Sequence, residues 1–345
     1  MDQDMHTPVM NVKLTKEDFV SDQMVKWCPG CGDHAILSSV EKVFPELGIP
    51  KENFVVVSGI GCSSRFPYYM NTYGIHGIHG RAAAIASGVK IARPELSVWM
   101  ITGDGDCMAI GGNHFIHTIR RNIDIKILLF NNKIYGLTKG QFSPTTPLGH
   151  VTKTSPQGTF EHPFNPGELV MGSQGTFFAR AVDTNPKMMT EIFMIAAQHK
   201  GTAVTEIMQN CVIFNNKVHD LITDKATKDD HIIYLEHGKP MLFGKENEKG
   251  LRLNNLRLEV VKLGEDGITE KDILIHDQTD PNPALHMMLA GMAPPAYPMA
   301  MGVIRAVNKP TFEGLMEDKI REMKATSPIK NADDLLNSGN TWEIS

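Results

Sequence analysis

Two short runs place hard oxygen donors and glycines at the ends of apolar segments: Gly103-Asp104-Gly105-Asp106 and Asn131-Asn132-Lys133-Ile134. A carboxylate at Asp104 and an amide oxygen at Asn132 suit Mg²⁺, which takes few protein ligands and fills its shell with phosphate oxygens. The backbone carbonyl of Ile134 is a third candidate donor. Gly103 and Gly105 allow a tight turn and a close approach of backbone to phosphate. These residue types point to a diphosphate clamped through a divalent cation.

Such donors need strand ends to hold them. Residues 97–102 and 125–130 read as buried strands that run into the two motifs, and 112–121 between them has helical length and polarity. Both donor runs then lie at carboxyl ends of strands, where open α/β sheets bind ligands. A GDG followed, one strand later, by an Asn pair resembles the thiamine diphosphate motif. Further strands are expected at 53–57, 177–182 and 202–207, and helices at 33–43, 82–92 and 187–199. The alternation predicts an α/β fold with a doubly wound, mostly parallel sheet.

The second group of chemically active residues is the cysteines, of which there are five. No signal-peptide core precedes them, which argues against a disulfide framework. Cys28-Pro29-Gly30-Cys31 is a CxxC, while Cys62 and Cys211 each follow a strand-like run. Cys107, just after the GDGD run, reads as a small buried thiol. A redox CxxC would use Cys28 and Cys31 alone. Structural zinc usually takes two close pairs of ligands, whereas a 4Fe–4S cluster tolerates distant single ones. Spacing alone leaves zinc and iron–sulfur open. A thiamine site on the same chain favours iron–sulfur, because electrons leaving a thiamine adduct need an acceptor.

WCPGCG at 27–32, GIGCSSR at 59–65, HGIHGRA at 76–82, GDGDCMAIGGNHFIH at 103–117 and NNKIYGLTKGQFSPTT at 131–146 together resemble the β subunits of 2-oxoacid:ferredoxin oxidoreductases, above all the 2-oxoglutarate branch. The resemblance covers roughly residues 25–215. It implies the pyrophosphate-binding half of a thiamine diphosphate site, with Mg²⁺ at Asp104, Asn132 and Ile134. It also implies one 4Fe–4S cluster on Cys28, Cys31, Cys62 and Cys211. An α subunit (or a fused α/γ subunit) would supply the pyrimidine half and the activating glutamate. The reaction implied is oxidative decarboxylation of 2-oxoglutarate with coenzyme A to succinyl-CoA and CO₂, with electrons passing through the cluster to ferredoxin. Pyruvate or a broad range of 2-oxoacids is the alternative substrate class. A non-oxidative thiamine decarboxylase or synthase with structural zinc is the alternative chemistry.

On this reading Gly105 and Asp106 offer backbone N–H groups to the diphosphate at a helix start, whose dipole favours anions. By resemblance His79 contacts the diphosphate. Ser63 and Ser64, beside a cluster ligand, are placed to bond phosphate or thiazolium, or else form an ordinary turn. Arg65 is the candidate partner for a distal substrate carboxylate, since guanidinium binds carboxylates in bidentate fashion. Leu137 and Lys139 lie in a loop resembling the family's active-site plug. His76, His114 and His117 read as locally satisfied or surface histidines.

The bulk composition narrows the rest. The chain has 345 residues, 41% hydrophobic and 21% charged, with net charge −5. That is a globular balance with no polyanion-binding surface, so no nucleic-acid partner is expected. Residues 285–304 lack Asp, Glu, Lys and Arg but contain Pro294, Pro295 and Pro298, so they read as an apolar loop or packing arm, not a membrane span. Met287, Met288, Met292, Met299 and Met301 in this stretch suit adaptable packing. Residues 1–24 read as an N-terminal arm, 25–219 as the cofactor-binding domain, and 220–345 as an extension that wraps the partner or covers the cluster. Residues 137–168, rich in Gly, Pro, Thr and Ser, suit a long functional loop. A cytoplasmic location is expected.

Overall fold

The computed structural model describes residues 13–342 and 344. Its strands are β1 (Phe54–Ser58), β2 (Tyr73–His76), β3 (Ser97–Gly103), β4 (Ile125–Asn131), β5 (Phe177–Val182), β6 (Ala203–Met208), β7 (Ile232–Leu235), β8 (Leu242–Phe243), β9 (Lys249–Asn254), β10 (Arg257–Lys262) and β11 (Met299–Ala306). Eight of them form one sheet in the order β2-β1-β3-β4-β6-β5-β11-β7, and β8, β9 and β10 form a small second sheet. Pairing in the large sheet is parallel except where β11 runs against β5.

Parallel strands buried on both faces read as continuous apolar runs, and β4 (IKILLFN) is buried along its whole length. Alternate residues serve opposite cores. Val55, Val57, Met100, Ile127 and Leu129 pack on one side. Phe54, Val56, Trp99, Ile101, Leu128 and Phe130 pack on the other. The α-helices that precede β6 are α1 (Asp33–Glu46), α2 (Phe66–Tyr69), α3 (Ala82–Ala92), α4 (Asp104–Met108), α5 (Gly112–Arg121), α6 (Pro166–Gly172) and α7 (Pro186–Gln198); α3 and α5 close the first core, α1 and α7 the second. Each helix buries a helical stripe: Ile36, Val40, Val43 and Phe44 in α1, Met189, Ile192, Phe193 and Ala196 in α7. Full burial of each large side chain contributes on the order of 1.5–3 kcal/mol. Both faces of the sheet are thus covered, and its carboxyl edge is left free for chemistry.

The predicted strands and helices of the first 210 residues are present, with ends shifted by a few residues at most. Two stretches differ from expectation. Residues 285–304 are a helix (Ala284–Gly291) followed by β11, not a loop. The prolines that suggested a loop all fall in the connection between the two, so the strand itself retains its N–H donors. Residues 220–345 also supply β7 and β11 to the central sheet. Near the other end, Phe19 is fully buried between the rings of Phe44 and Phe54, each 5.5 Å away, so the part of the expected arm that is described is anchored to the second core. No described helix is long and apolar enough to cross a membrane.

Candidate functional site

The carboxyl ends of β1, β3, β4 and β6 converge, and the residues that follow them line two cavities with a shared wall. Asp104 opens the short helix α4 (Asp104–Met108) directly after β3. Its side chain is buried and faces the first cavity, of about 390 Å³. Oδ2 accepts from Ser143 Oγ at 2.5 Å and from Thr145 Oγ1. Burial pushes the carboxyl up to about 6, although both hydroxyls pull it down. A desolvated carboxylate at a cavity wall is a place where a cation lowers the energy.

Across the cavity, β4 ends and the chain turns through Lys133, whose φ is +56°. Within this turn Ile134 N–H donates to Asn132 Oδ1 at 3.1 Å, which is an Asx turn. Asn132 and Ile134 both line the cavity with Asp104. The three residues expected to supply oxygen donors therefore border one cavity.

α4 is a single turn, so its dipole is small and the contribution to anion binding comes from individual N–H groups. Gly105 lies outside the positive-φ region, and space requires glycine there: a Cβ would lie 2.2 Å from the Tyr135 ring. Tyr135 Oη in turn donates to the Gly105 carbonyl at 3.0 Å. Gly103 is likewise outside the positive-φ region, and a Cβ there would sit 3.5 Å from Ser63 Oγ.

Asp106 was expected to act through its backbone, but its buried side chain is the organiser of the opposite wall. Oδ1 accepts from His79 Nδ1 (2.7 Å), Gly80 N–H (2.7 Å) and Ile60 N–H (3.1 Å), and Oδ2 accepts from Thr102 Oγ1 (3.0 Å). The carboxylate keeps the proton on Nδ1, so Nε2 is the free nitrogen of a ring that lines the cavity. His76 instead bonds Tyr68 Oη at 3.1 Å on the exposed edge strand β2.

Cys28, Cys31, Cys62 and Cys211 border a second cavity of about 370 Å³. Cys28 and Cys31 precede α1, Cys62 follows β1 and Cys211 follows β6, so the fold brings the four together. Cys107 is buried inside α4 and borders neither cavity. A Cβ on Gly136 would lie 3.5 Å from Cys211 Sγ and 3.7 Å from Cys62 Sγ, so glycine keeps this space open. Among the described residues no three His, Cys, Asp or Glu side chains close on one point as around a single ion. The thiols surround a volume. Burial, reinforced by Asp33, pushes Cys62 up to about 12, and Cys31 rises further for the same reasons. A bound metal centre would invert this preference and hold the thiolates.

Cys62, Asn132, Gly136 and Leu137 belong to both cavities, and so does Asp33. Burial and the neighbouring Asp183 push the Asp33 carboxyl up to about 7. Ser63 is on the first cavity, whereas Ser64 turns inward with its hydroxyl unpartnered. Arg65 and Lys139 border the cysteine cavity and not the first. Lys139 sits at the tip of a tight hairpin in which Tyr135 N–H donates to the Gln141 carbonyl and Gly140 N–H to the Tyr135 carbonyl, with φ +79°. Sequence reasoning did not single out Asp33, Tyr135, Ser143, Thr145 or Gln209. Ser143 and Thr145 lie in the SPTT run, whose density of hydroxyls beside the Asn pair was the available signal.

A family model described as thiamine pyrophosphate enzyme, C-terminal TPP binding domain, matches residues 59–207. The 2-oxoglutarate oxidoreductase subunit KorB of Mycobacterium tuberculosis is 45% identical over 331 residues, which span 95% of this chain and 88% of that one. The 2-oxoacid:ferredoxin oxidoreductase subunit beta of Saccharolobus solfataricus is 35% identical over 306 residues, spanning 87% of this chain and 97% of that one. A solved structure, 2-oxoglutarate:ferredoxin oxidoreductase from Magnetococcus marinus with 2-oxoglutarate, coenzyme A and succinyl-CoA bound, superposes with a TM-score of 0.76 at 31% identity. That match covers 96% of this chain and 98% of the other.

Proposed function

The chain belongs to the β subunits of the 2-oxoacid:ferredoxin oxidoreductases, and from that premise we propose that it serves oxidative decarboxylation of 2-oxoglutarate with coenzyme A, yielding succinyl-CoA and CO₂ and reducing ferredoxin. The observation that carries the reading is the shared wall: a cavity bordered by Asp104, Asn132 and Ile134, suited to magnesium diphosphate, adjoins a thiol-lined cavity suited to an electron acceptor.

Thiamine diphosphate, when bound, supplies the electron sink that makes loss of CO₂ from a 2-oxoacid feasible. The residues of this chain bind, orient and shield it. Asp104, Asn132 and the Ile134 carbonyl would hold Mg²⁺, with Ser143 and Thr145 fixing the Asp104 carboxylate. The Gly105 and Asp106 N–H groups and Ser63 would meet the diphosphate, and His79, aimed by Asp106, would contact it through an Nε2–H donor. Tyr135 and Leu137 line the first cavity and would help to exclude water from it. Cys28, Cys31, Cys62 and Cys211 would ligate a 4Fe–4S cluster. Thiols bordering a volume fit a multi-iron group better than one tetrahedral zinc.

Arg65 and Lys139 are cations that border the cysteine cavity beside the shared wall, and Arg65 would meet the distal carboxylate of an extended substrate reaching past that wall. The pyrimidine half and the activating glutamate belong to the α partner, and a reducing cytoplasm suits a cluster that feeds ferredoxin. The test is anaerobic purification with the partner subunit and assay of coenzyme A-dependent viologen reduction. Turnover of 2-oxoglutarate well above pyruvate is expected. Equal turnover would contradict the substrate assignment, and zinc in place of iron would contradict the redox chemistry.

A further inference from the structure

Gln209, the first residue after β6, is almost fully buried and lines the cysteine cavity. Its side chain makes three hydrogen bonds. Nε2 donates to the Asn210 carbonyl at 2.7 Å and to Cys31 Sγ at 3.3 Å, and Oε1 accepts from Asn132 Nδ2 at 2.8 Å. The orientations are fixed in sequence. A carbonyl only accepts, so the Gln209 NH₂ must face Asn210, and the same NH₂ reaches the sulfur. Its oxygen is thereby turned to Asn132, which must present its own NH₂. Asn132 Oδ1 is left toward Ile134 N–H and the first cavity.

Resting on the functional reading above, we infer that Gln209 is a positioning residue for both cofactors: it turns Asn132 so that an oxygen faces Mg²⁺, and it donates an N–H···S bond to a cluster ligand. Outer-shell partners of this kind set ligand orientation. Hydrogen bonds to cluster sulfurs favour the reduced, more negative state and raise the reduction potential. One amide thus links the electron donor site to the acceptor site.

Two variants separate the roles in the purified, reconstituted subunit complex. Gln209→Met keeps the shape and loses donor and acceptor. Gln209→Glu keeps an acceptor for Asn132 and, above neutral pH, loses the donors. Two readouts are needed: the cluster midpoint potential by EPR-monitored redox titration, and Mg²⁺–thiamine diphosphate affinity by calorimetry. In Gln209→Met the potential should move to more negative values and the affinity should weaken roughly tenfold, equivalent to about 1.4 kcal/mol. In Gln209→Glu the potential should fall while the affinity stays within about twofold of wild type, because the acceptor for Asn132 remains. Unchanged potentials in both variants would overturn the N–H···S role. Unchanged affinity in Gln209→Met would overturn the Asn132 role. If neither variant assembles a cluster although wild type does, Gln209 is an assembly residue and the inference fails. A wild-type complex without iron sinks the functional reading instead, which keeps the two failures apart.

Discussion

Replacing Asp104 by Asn tests the cation site through its pH dependence. Burial raises the Asp104 carboxyl from 3.8 to about 6, against the pull of Ser143 and Thr145. In the unfolded chain the group ionises near its ordinary value, so the folded protein is favoured at low pH. That advantage is lost as pH rises from about 4 to 6, and ionising the buried group costs about 3 kcal/mol at 1.36 kcal/mol per pH unit. A divalent cation reverses the balance by favouring the charged form. Below pH 6 magnesium must therefore displace a proton, and its apparent affinity should fall about tenfold per pH unit. Calorimetric titration of Mg²⁺–thiamine diphosphate into the cofactor-depleted complex from pH 5 to 8 reads this directly. Wild type should bind evenly near pH 7 and roughly tenfold more weakly at pH 5. Asp104→Asn should bind at least a hundredfold more weakly at pH 7, beyond the 10–100-fold that loss of an outer-shell partner costs. It should also lack this part of the pH slope, keeping only that of the diphosphate. Parallel slopes in the two proteins would refute the reasoning.

Three further outcomes follow from particular contacts. Asp106→Asn removes one acceptor from a carboxylate that holds His79, Gly80, Ile60 and Thr102. The loss of about 1–3 kcal/mol should appear as a fall in kcat/KM of about 5- to 150-fold, with secondary structure unchanged by circular dichroism. Cys107→Ser should leave iron content and visible spectrum as in wild type, because Cys107 borders neither cavity, whereas Ser at 28, 31, 62 or 211 should deplete iron. Arg65→Met should raise KM for 2-oxoglutarate by about 10–100-fold, the worth of a charge-assisted pair, and leave pyruvate turnover near wild type in steady-state assays. Equal effects on both substrates would count against Arg65 as the distal carboxylate partner.

Much of the doubly wound core was legible because its signals are local. β5 was expected at 177–182 and is found there, and α3 and α5 coincide with their expected ranges, since unbroken apolar runs and helical stripes declare themselves. β7 and β11 were not legible. A four-residue strand between charged pieces has too little pattern, and the prolines before β11 hid a strand that needs the antiparallel edge of β5 to exist. In the site, Asp104 and Asn132 stood out by motif. Ser143 and Thr145 did not, because a hydroxyl that reaches back to a carboxylate depends on how a loop folds, not on periodicity. Gln209 reads as the residue after a strand until Asn132 and Cys31 are seen on either side of it. Arg65 was singled out by chemical motive alone, and its position on the thiol-lined side of the shared wall could not be read from sequence.

Electron transfer from the first cavity to the second is the step on which the proposed function turns. Low-temperature EPR of the anaerobic complex, mixed with 2-oxoglutarate and then with coenzyme A, observes that transfer. The expected result is a reduced cluster signal that grows on adding coenzyme A and is absent from Asp104→Asn. A cluster that dithionite reduces but 2-oxoglutarate with coenzyme A leaves oxidised would contradict the account.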